Sequence, residues 1–317
     1  MKVMNLNKKG LFILKIIFLV ILFYWVYTLY IDKKNSINFD AISEVLTTKS
    51  WFFLVGSFLL SFLNLSIEAI KFQQVLLPQK VSFNDALKSV YAGASTGLLT
   101  PDRLGNFIGR TLHLSSLKNN WVISATLLGN FAQLFATILF AVIATLMYPT
   151  GVITLQISET LLNTLRFILF PSVFILFLLY YKSEYFLFVI HRIQFLKKTV
   201  DYLKGKSNKE KTRVLALAML RYFIFVLQFY FALNAFGVAI SLIATLIFLG
   251  FLYLFTTFIP SPFMGNLGTR EAIAVLLLGL DSSFEGVVFA SLFIWFINVL
   301  FPAILGSVFV IKTQDKL

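Results

Sequence analysis

The sequence predicts an all-α, polytopic membrane protein: a bundle of seven to eight transmembrane helices with two re-entrant or broken helical segments. Three observations predict it. Of the 317 residues, 59% are hydrophobic and only 13% are charged, against about 45–50% and about 25% in a soluble domain. Mean hydropathy is +0.87. Several apolar runs reach the roughly 20 residues a helix needs to cross a bilayer.

Seven stretches qualify as spans, near 11–31, 51–70, 121–147, 163–181, 213–235, 238–259 and 286–311. The first ends in bulky aromatics followed by Asp32, Lys33 and Lys34, with no small-residue cleavage site. It therefore reads as a retained helix rather than a signal peptide. Two further stretches, 82–110 and 260–282, are apolar but interrupted by Gly, Pro and charge. Their apolar pieces are too short to span. Irregular backbone at membrane depth survives only where protein or a water-filled cavity satisfies its polar groups. Both are therefore expected to face the protein interior.

Charge sets the expected orientation. Lys and Arg exceed Asp and Glu by 27 to 14, a net +13. Residues 1–15 carry four lysines, 182–213 carry nine Lys or Arg, and 148–160 carry none. By the positive-inside rule the N-terminus is cytoplasmic in a cell membrane. The basicity is thus a topology signal, and no nucleic-acid partner is expected. Seven crossings would leave the C-terminus outside, although Lys312 and Lys316 favour the inside; an eighth crossing in a broken segment would reconcile the two. The chain reads as one integral membrane domain, 1–317. Its halves, 11–181 and 213–311, are joined by the basic segment 182–212. Within it, 185–204 has the spacing of an amphipathic helix, suited either to anionic headgroups or to the protein's own cytoplasmic side. The 182–213 surface could also dock an acidic protein partner.

Composition excludes several chemistries. Without Cys there is no disulfide framework, thiolate zinc site or Cys nucleophile. Two histidines, His113 and His191, cannot build a three-His metal centre. No cofactor is expected, and no phosphate-binding Walker loop is present.

Charges inside apolar sequence need a reason, since each costs about 2.5–3.5 kcal/mol at a helix centre. Arg221 lies about eight residues into the 213–235 stretch, on the order of 12 Å deep, and either snorkels or pairs. Glu68 and Lys71, at i and i+3, are placed to form a salt bridge at the membrane interface. Arg166 and Lys15 read as snorkelling anchors. Asn64, Asn130, Gln133, Gln228, Asn234 and Asn298 are candidates for interhelical hydrogen bonds. Asn130 and Gln133 also have the spacing to line a cavity.

Two motifs stand out. The first is Thr100-Pro101-Asp102-Arg103-Leu104-Gly105-Asn106, followed by Arg110. The second is Ser261-Pro262, then Gly265-Asn266-Leu267-Gly268-Thr269-Arg270-Glu271. Each runs hydroxyl, Pro, an Arg/Gly/Asn cluster and then an apolar helix. Pro ends the preceding helix and Gly lets the backbone turn. The next helix start offers free N–H groups, and Arg supplies a permanently charged fork for phosphate or carboxylate. The pair points to an internal repeat.

At these residues the chain resembles the transmembrane-region family of lysylphosphatidylglycerol synthases, also called flippase-like integral membrane proteins. TPDRLGNFIGR at 100–110 is similar to that family's first segment, with Asp102 in place of a Gly and Asn106 in place of an acid. PSPFMGNLGTREA at 260–272 is similar to the second. Phe263-Met264 interrupts its Pro-Gly-Gly run, while Gly268, Arg270 and Glu271 are kept. The resemblance covers roughly residues 50 to 310. It implies a polytopic domain that binds or translocates a lipid. In two-part enzymes of the family this domain precedes a soluble aminoacyl-transfer domain. Here only Lys312 to Leu317 follow the last apolar stretch, so lysyl transfer is not expected.

The expected function is lipid binding or flipping, with an anionic phospholipid or polyprenyl-phosphate-linked amphiphile as ligand. Arg103, Arg110 and Arg270 would hold the headgroup, joined by Arg221. Thr100, Pro101, Gly105, Asn106, Gly265, Asn266 and Gly268 would complete the headgroup site at the two turns, and Glu271 would join it by ordering Arg270 or balancing its charge. Two other classes stay open: a scaffold or regulator of a lipid-modifying enzyme, and an intramembrane lipid transferase using Glu68, Asp102, Glu271 and His113. The last lacks a nucleophile–base pair.

Overall fold

A computed structural model describes residues 48–100, 104–182, 201–202, 204–259, 266–278 and 284–314. Among them the secondary structure is helical throughout. In chain order the helices are α1 (Thr48–Leu76), α2 (Phe83–Leu98), α3 (Gly105–His113), α4 (Asn119–Met147), α5 (Glu159–Tyr181), α6 (Asn208–Ala235), α7 (Leu242–Phe258), α8 (Thr269–Leu278), α9 (Phe284–Trp295) and α10 (Phe301–Gln314). A π-turn, Phe296–Leu300, joins α9 and α10 into one rod.

Five of these are long and apolar enough to cross a membrane: α1, α4, α5, α6 and the α9–α10 rod. Each matches an expected span. The expected span at 238–259 is the 17-residue α7, shorter than the others. The span at 11–31 and most of the amphipathic segment 185–204 lie outside the described residues.

Local chemistry sets the helix starts. Ser82, Ser158 and Ser241 each accept a hydrogen bond from a backbone N–H in the first turn of α2, α5 and α7. Ser207 and Glu210 form a reciprocal capping box at α6. That cap starts α6 at Asn208, five residues before the expected apolar start. Arg221 is therefore in the middle of its helix, with thirteen residues before it and fourteen after.

Helix directions follow from cross-helix contacts. Phe53 packs on Tyr230 and Phe231, Ser57 Oγ donates to Gln228 O, Asn64 meets Arg221, and Tyr202 OH donates to Val75 O. Numbers fall along α6 as they rise along α1, so the two are antiparallel. Arg166 donates to Thr145 O while Tyr180 packs on Phe131 and Phe135, so α5 is antiparallel to α4. Phe236 meets Phe289 and Phe293 while Gln228 meets Asn298, so α9 is antiparallel to α6.

The bundle consequently has two ends. One carries the end of α1, both outer ends of the α2–α3 pair, the start of α6 and the end of α10, where Phe309 packs on Tyr91 and His113. The other carries the end of α4, the start of α9 and both outer ends of the α7–α8 pair; there Gln156 N–H donates to Leu277 O at 2.8 Å. The chain's last helix thus returns to the end that holds 113–119, because α7 and α8 fold back on each other instead of crossing together.

Two large cores share α4 and α6. Val214, Leu215 and Ala218 belong to a core with Phe72, Val90 and Leu128. Tyr222, Val226, Phe229 and Leu233 belong to another with Phe248, Phe251 and Ile273. Arg221 sits at the seam between them. In contrast, α5 exposes Phe167, Phe170, Phe174 and Phe177, an apolar face suited to lipid.

Candidate functional site

The α2–α3 pair brings the first motif into the bundle. Thr100 Oγ1 accepts from Gly105 N–H at 2.6 Å and closes the turn, while Thr96 Oγ1 donates to Gly105 O at 2.7 Å. A Cβ on Gly105 would lie 2.1 Å from Thr96 O, and one on Gly109 2.2 Å from Ala92 O. Only glycine permits that backbone contact. It turns α3 so that Arg110, in its last turn, points inward and is buried.

There Arg110 joins a charged layer. Glu68 on α1 is its centre: Oε1 accepts from Arg110 Nη2 at 2.8 Å, and Oε2 accepts from Lys71 Nζ at 2.6 Å and from Arg221 Nη1. Asn106 Oδ1 accepts from Arg110 Nε at 2.9 Å, and the Phe72 ring lies 4.4 Å beneath the guanidinium. Asn64 Oδ1 accepts from Arg221 Nε at 2.8 Å, Gln133 Oε1 stands 3.4 Å from Arg221 Nη1, and Lys71 also donates to Gly129 O. Glu68, Lys71 and Arg110 are 6%, 1% and 4% exposed.

Two features set this layer apart from a structural ion pair. Among the described residues three cations meet one carboxylate, a local excess of two positive charges in a place where charge is costly. Asn64 Nδ2 is buried without a hydrogen-bond partner, although its own Oδ1 is fixed by Arg221. The amide cannot be flipped to relieve this, since that would set nitrogen against the guanidinium. A buried donor beside surplus arginine is the chemistry of an anion site.

The second motif is built differently. Asn266 and Gly268 adopt left-handed backbone, φ 65° and 81°, and Glu271 Oε2 accepts from Gly268 N–H at 2.7 Å. Arg270 donates from Nη2 to Glu271 Oε1 at 2.8 Å and to Ser291 O at 2.5 Å, and from Nε to Ser291 Oγ at 3.0 Å. Ser291 Oγ donates to Glu271 Oε1. The pair is neutral and ties α8 to α9. Arg270 lies 5.8 Å over the Phe229 ring, eight residues and about 12 Å along α6 from Arg221.

The family model described as "Lysylphosphatidylglycerol synthase TM region" matches residues 12–306. The chain belongs to this family. It is a multi-pass integral membrane protein, and its family ties it to membrane lipids. No curated protein and no solved structure matches the chain. Of the family-motif residues, Thr100, Gly105, Asn106 and Arg110 form the turn and reach the charged layer. Asn266, Gly268, Arg270 and Glu271 form the neutral pair and its turn. Pro101, Asp102, Arg103 and Gly265 lie outside the described residues.

Several readings change in detail. Glu68 and Lys71 do pair, yet they are buried in a four-residue charged layer and not at an exposed interface. Gln133 reaches that layer, whereas Asn130 is exposed. Gln228 and Asn298 exchange hydrogen bonds at 3.4 and 3.3 Å, and Asn234 bonds the Tyr230 and Ile240 carbonyls. Arg166 donates to Thr145 O and Asn163 instead of reaching out to headgroups. Glu68 is the centre of the layer, a place beyond its sequence reading as the i,i+3 partner of Lys71 and as a candidate acid. Just outside the spans, Lys206 donates to Leu77 O, and burial draws its pKa below the ordinary lysine value.

Proposed function

We propose that the protein is a flippase-like carrier that binds the headgroup of an anionic lipid at the Glu68, Lys71, Arg110 and Arg221 layer and moves it between leaflets. The charge surplus of that layer carries the reading. Lys71 balances Glu68, which leaves two guanidinium forks for one phosphate or carboxylate, and Asn64 Nδ2 adds a neutral donor. Arg suits the task because it keeps its charge when desolvated. The headgroup and Glu68 compete for the same two arginines, so arrival of the lipid loosens α1 from α3 and α6. Arg270 and Glu271 hold the second hairpin in place while the first moves.

The end of the bundle next to 182–213, with its nine basic residues, faces the cytoplasm of a cell membrane, and the N-terminus lies on that side. Five helices cross among the described residues, and the apolar stretch 11–31, by its sequence alone, would add a sixth. The remaining segments, Phe83–His113 and Leu242–Leu278, are re-entrant.

Leaflet exchange of labelled lipids in proteoliposomes tests the function. Exchange of at least one anionic lipid is expected, with Arg110→Gln and Arg221→Gln each slowing it about tenfold while insertion persists. Folded wild-type protein that moves no phospholipid or polyprenyl phosphate would sink the proposal.

A further inference from the structure

We infer that the chain is an inverted duplication of one helical unit, with its two hairpins entering the membrane from opposite faces. This goes beyond the lipid reading and stands without it. The helix lengths repeat in order. The first unit runs 29, 16, 9 and 29 residues in α1 to α4. The second runs 28, 17, 10 and 31 in α6, α7, α8 and the α9–α10 rod, counted over the described residues. Each Pro/Gly motif falls at the same place, between the second helix of its unit and the third. The apolar stretch 11–31 precedes the first unit as α5 precedes the second.

The packing is symmetric under exchange of the units. Helix α1 packs on its counterpart α6, and the contacts already described make the two antiparallel. Helix α4 packs on α7, as the α10 part of the rod packs on α2. The ninth residue of α7 and of α2 makes a close approach in each pairing. Gly250, ninth in α7, approaches so closely that a Cβ would lie 2.3 Å from Ala144 Cβ. A Cβ on Gly306 would lie 1.9 Å from the carbonyl oxygen of Tyr91, ninth in α2. A rotation that maps α1 onto an antiparallel α6 turns the unit over.

The polar layers correspond too. Glu68 and Gln228 are each the 21st described residue of their helix. Gln133 is the 15th residue of α4, and Asn298 is the 15th described residue of the α9–α10 rod. Arg221 corresponds to Ser61, the 14th residue of α1. With a serine where the other unit has its arginine, Gln228 and Asn298 bond each other directly, and the π-turn around Asn298 accommodates them. The duplication has thus kept one charged layer and one neutral layer.

Single-cysteine labelling tests the inversion, and the absence of native Cys makes every label unambiguous. Lys80→Cys, Ser116→Cys and a cysteine added after Leu317 are expected to react with an impermeant maleimide from one face. Val152→Cys and Ala239→Cys are expected to react only from the other. All five should label once detergent is added. Reaction of Ala239→Cys from the same face as Ser116→Cys would overturn the inference, as would reaction of every position from both faces. Lipid exchange plays no part in this readout, so its failure leaves the lipid proposal to its own test.

Discussion

Glu68 accepts hydrogen bonds from three cations on three helices, so its loss and the loss of any one cation have different consequences. Glu68→Gln leaves Lys71, Arg110 and Arg221 facing one another without a carboxylate. Removing one partner of a buried ionic group costs about 3–5 kcal/mol; the expected result is a clear fall in Tm in detergent. An anionic lipid bound at the layer should restore part of that loss, and phosphatidylcholine should not. The Arg270–Glu271 pair behaves oppositely. Either single change, Arg270→Gln or Glu271→Gln, should lower Tm. The double change should cost less than the sum of the two, because the pair is neutral and serves mainly to tie α8 to Ser291. A thermal double-mutant cycle reads this, and additivity would argue against a closed pair.

At the scale of an element, the α2–α3 hairpin depends on backbone contact more than on apolar burial. Gly109→Ala places a methyl 2.2 Å from Ala92 O, and overpacking of that kind costs about 1–3 kcal/mol. The hairpin should splay and Arg110 should leave the layer, read as faster proteolysis near residues 99–104. The cap of α6 is a milder lever. Ser207→Ala removes the capping box at a cost of about 1 kcal/mol, a small fall in Tm with lipid binding unchanged. Because Ser207 fixes where α6 begins, it also explains why Arg221 is central in its helix instead of a third of the way in.

For the whole molecule, the two bundle ends replace a count of crossings as the useful description. Residues 113–119, the start of α6 and the end of α10 share one end, and the second hairpin roots at the other. The seam between the two cores passes through Arg221 on α6. A carrier that rocks about that seam would move its charged layer relative to each face while both apolar cores stay packed.

By itself the sequence determined that this is a helical membrane protein of its family, where the long apolar helices run, and that Pro/Gly breaks flank 100 and 260. These are local properties: hydropathy over about 20 residues, N-cap serines and turn glycines. Arg110, Arg221 and Asn106 were also legible as candidates, because charge and amides inside apolar sequence stand out. Only the tertiary structure decided that Glu68 gathers them, since it lies 153 residues from Arg221 and no local signal pairs residues that far apart. The fold alone also separated Arg270 from Arg110, though their motifs read alike: one arginine has a carboxylate as its chain neighbour, and the other must share Glu68 with two further cations. The antiparallel packing of α1 on α6 was beyond reach for the same reason. Hydropathy reports how apolar a helix is, but not which way its neighbour runs.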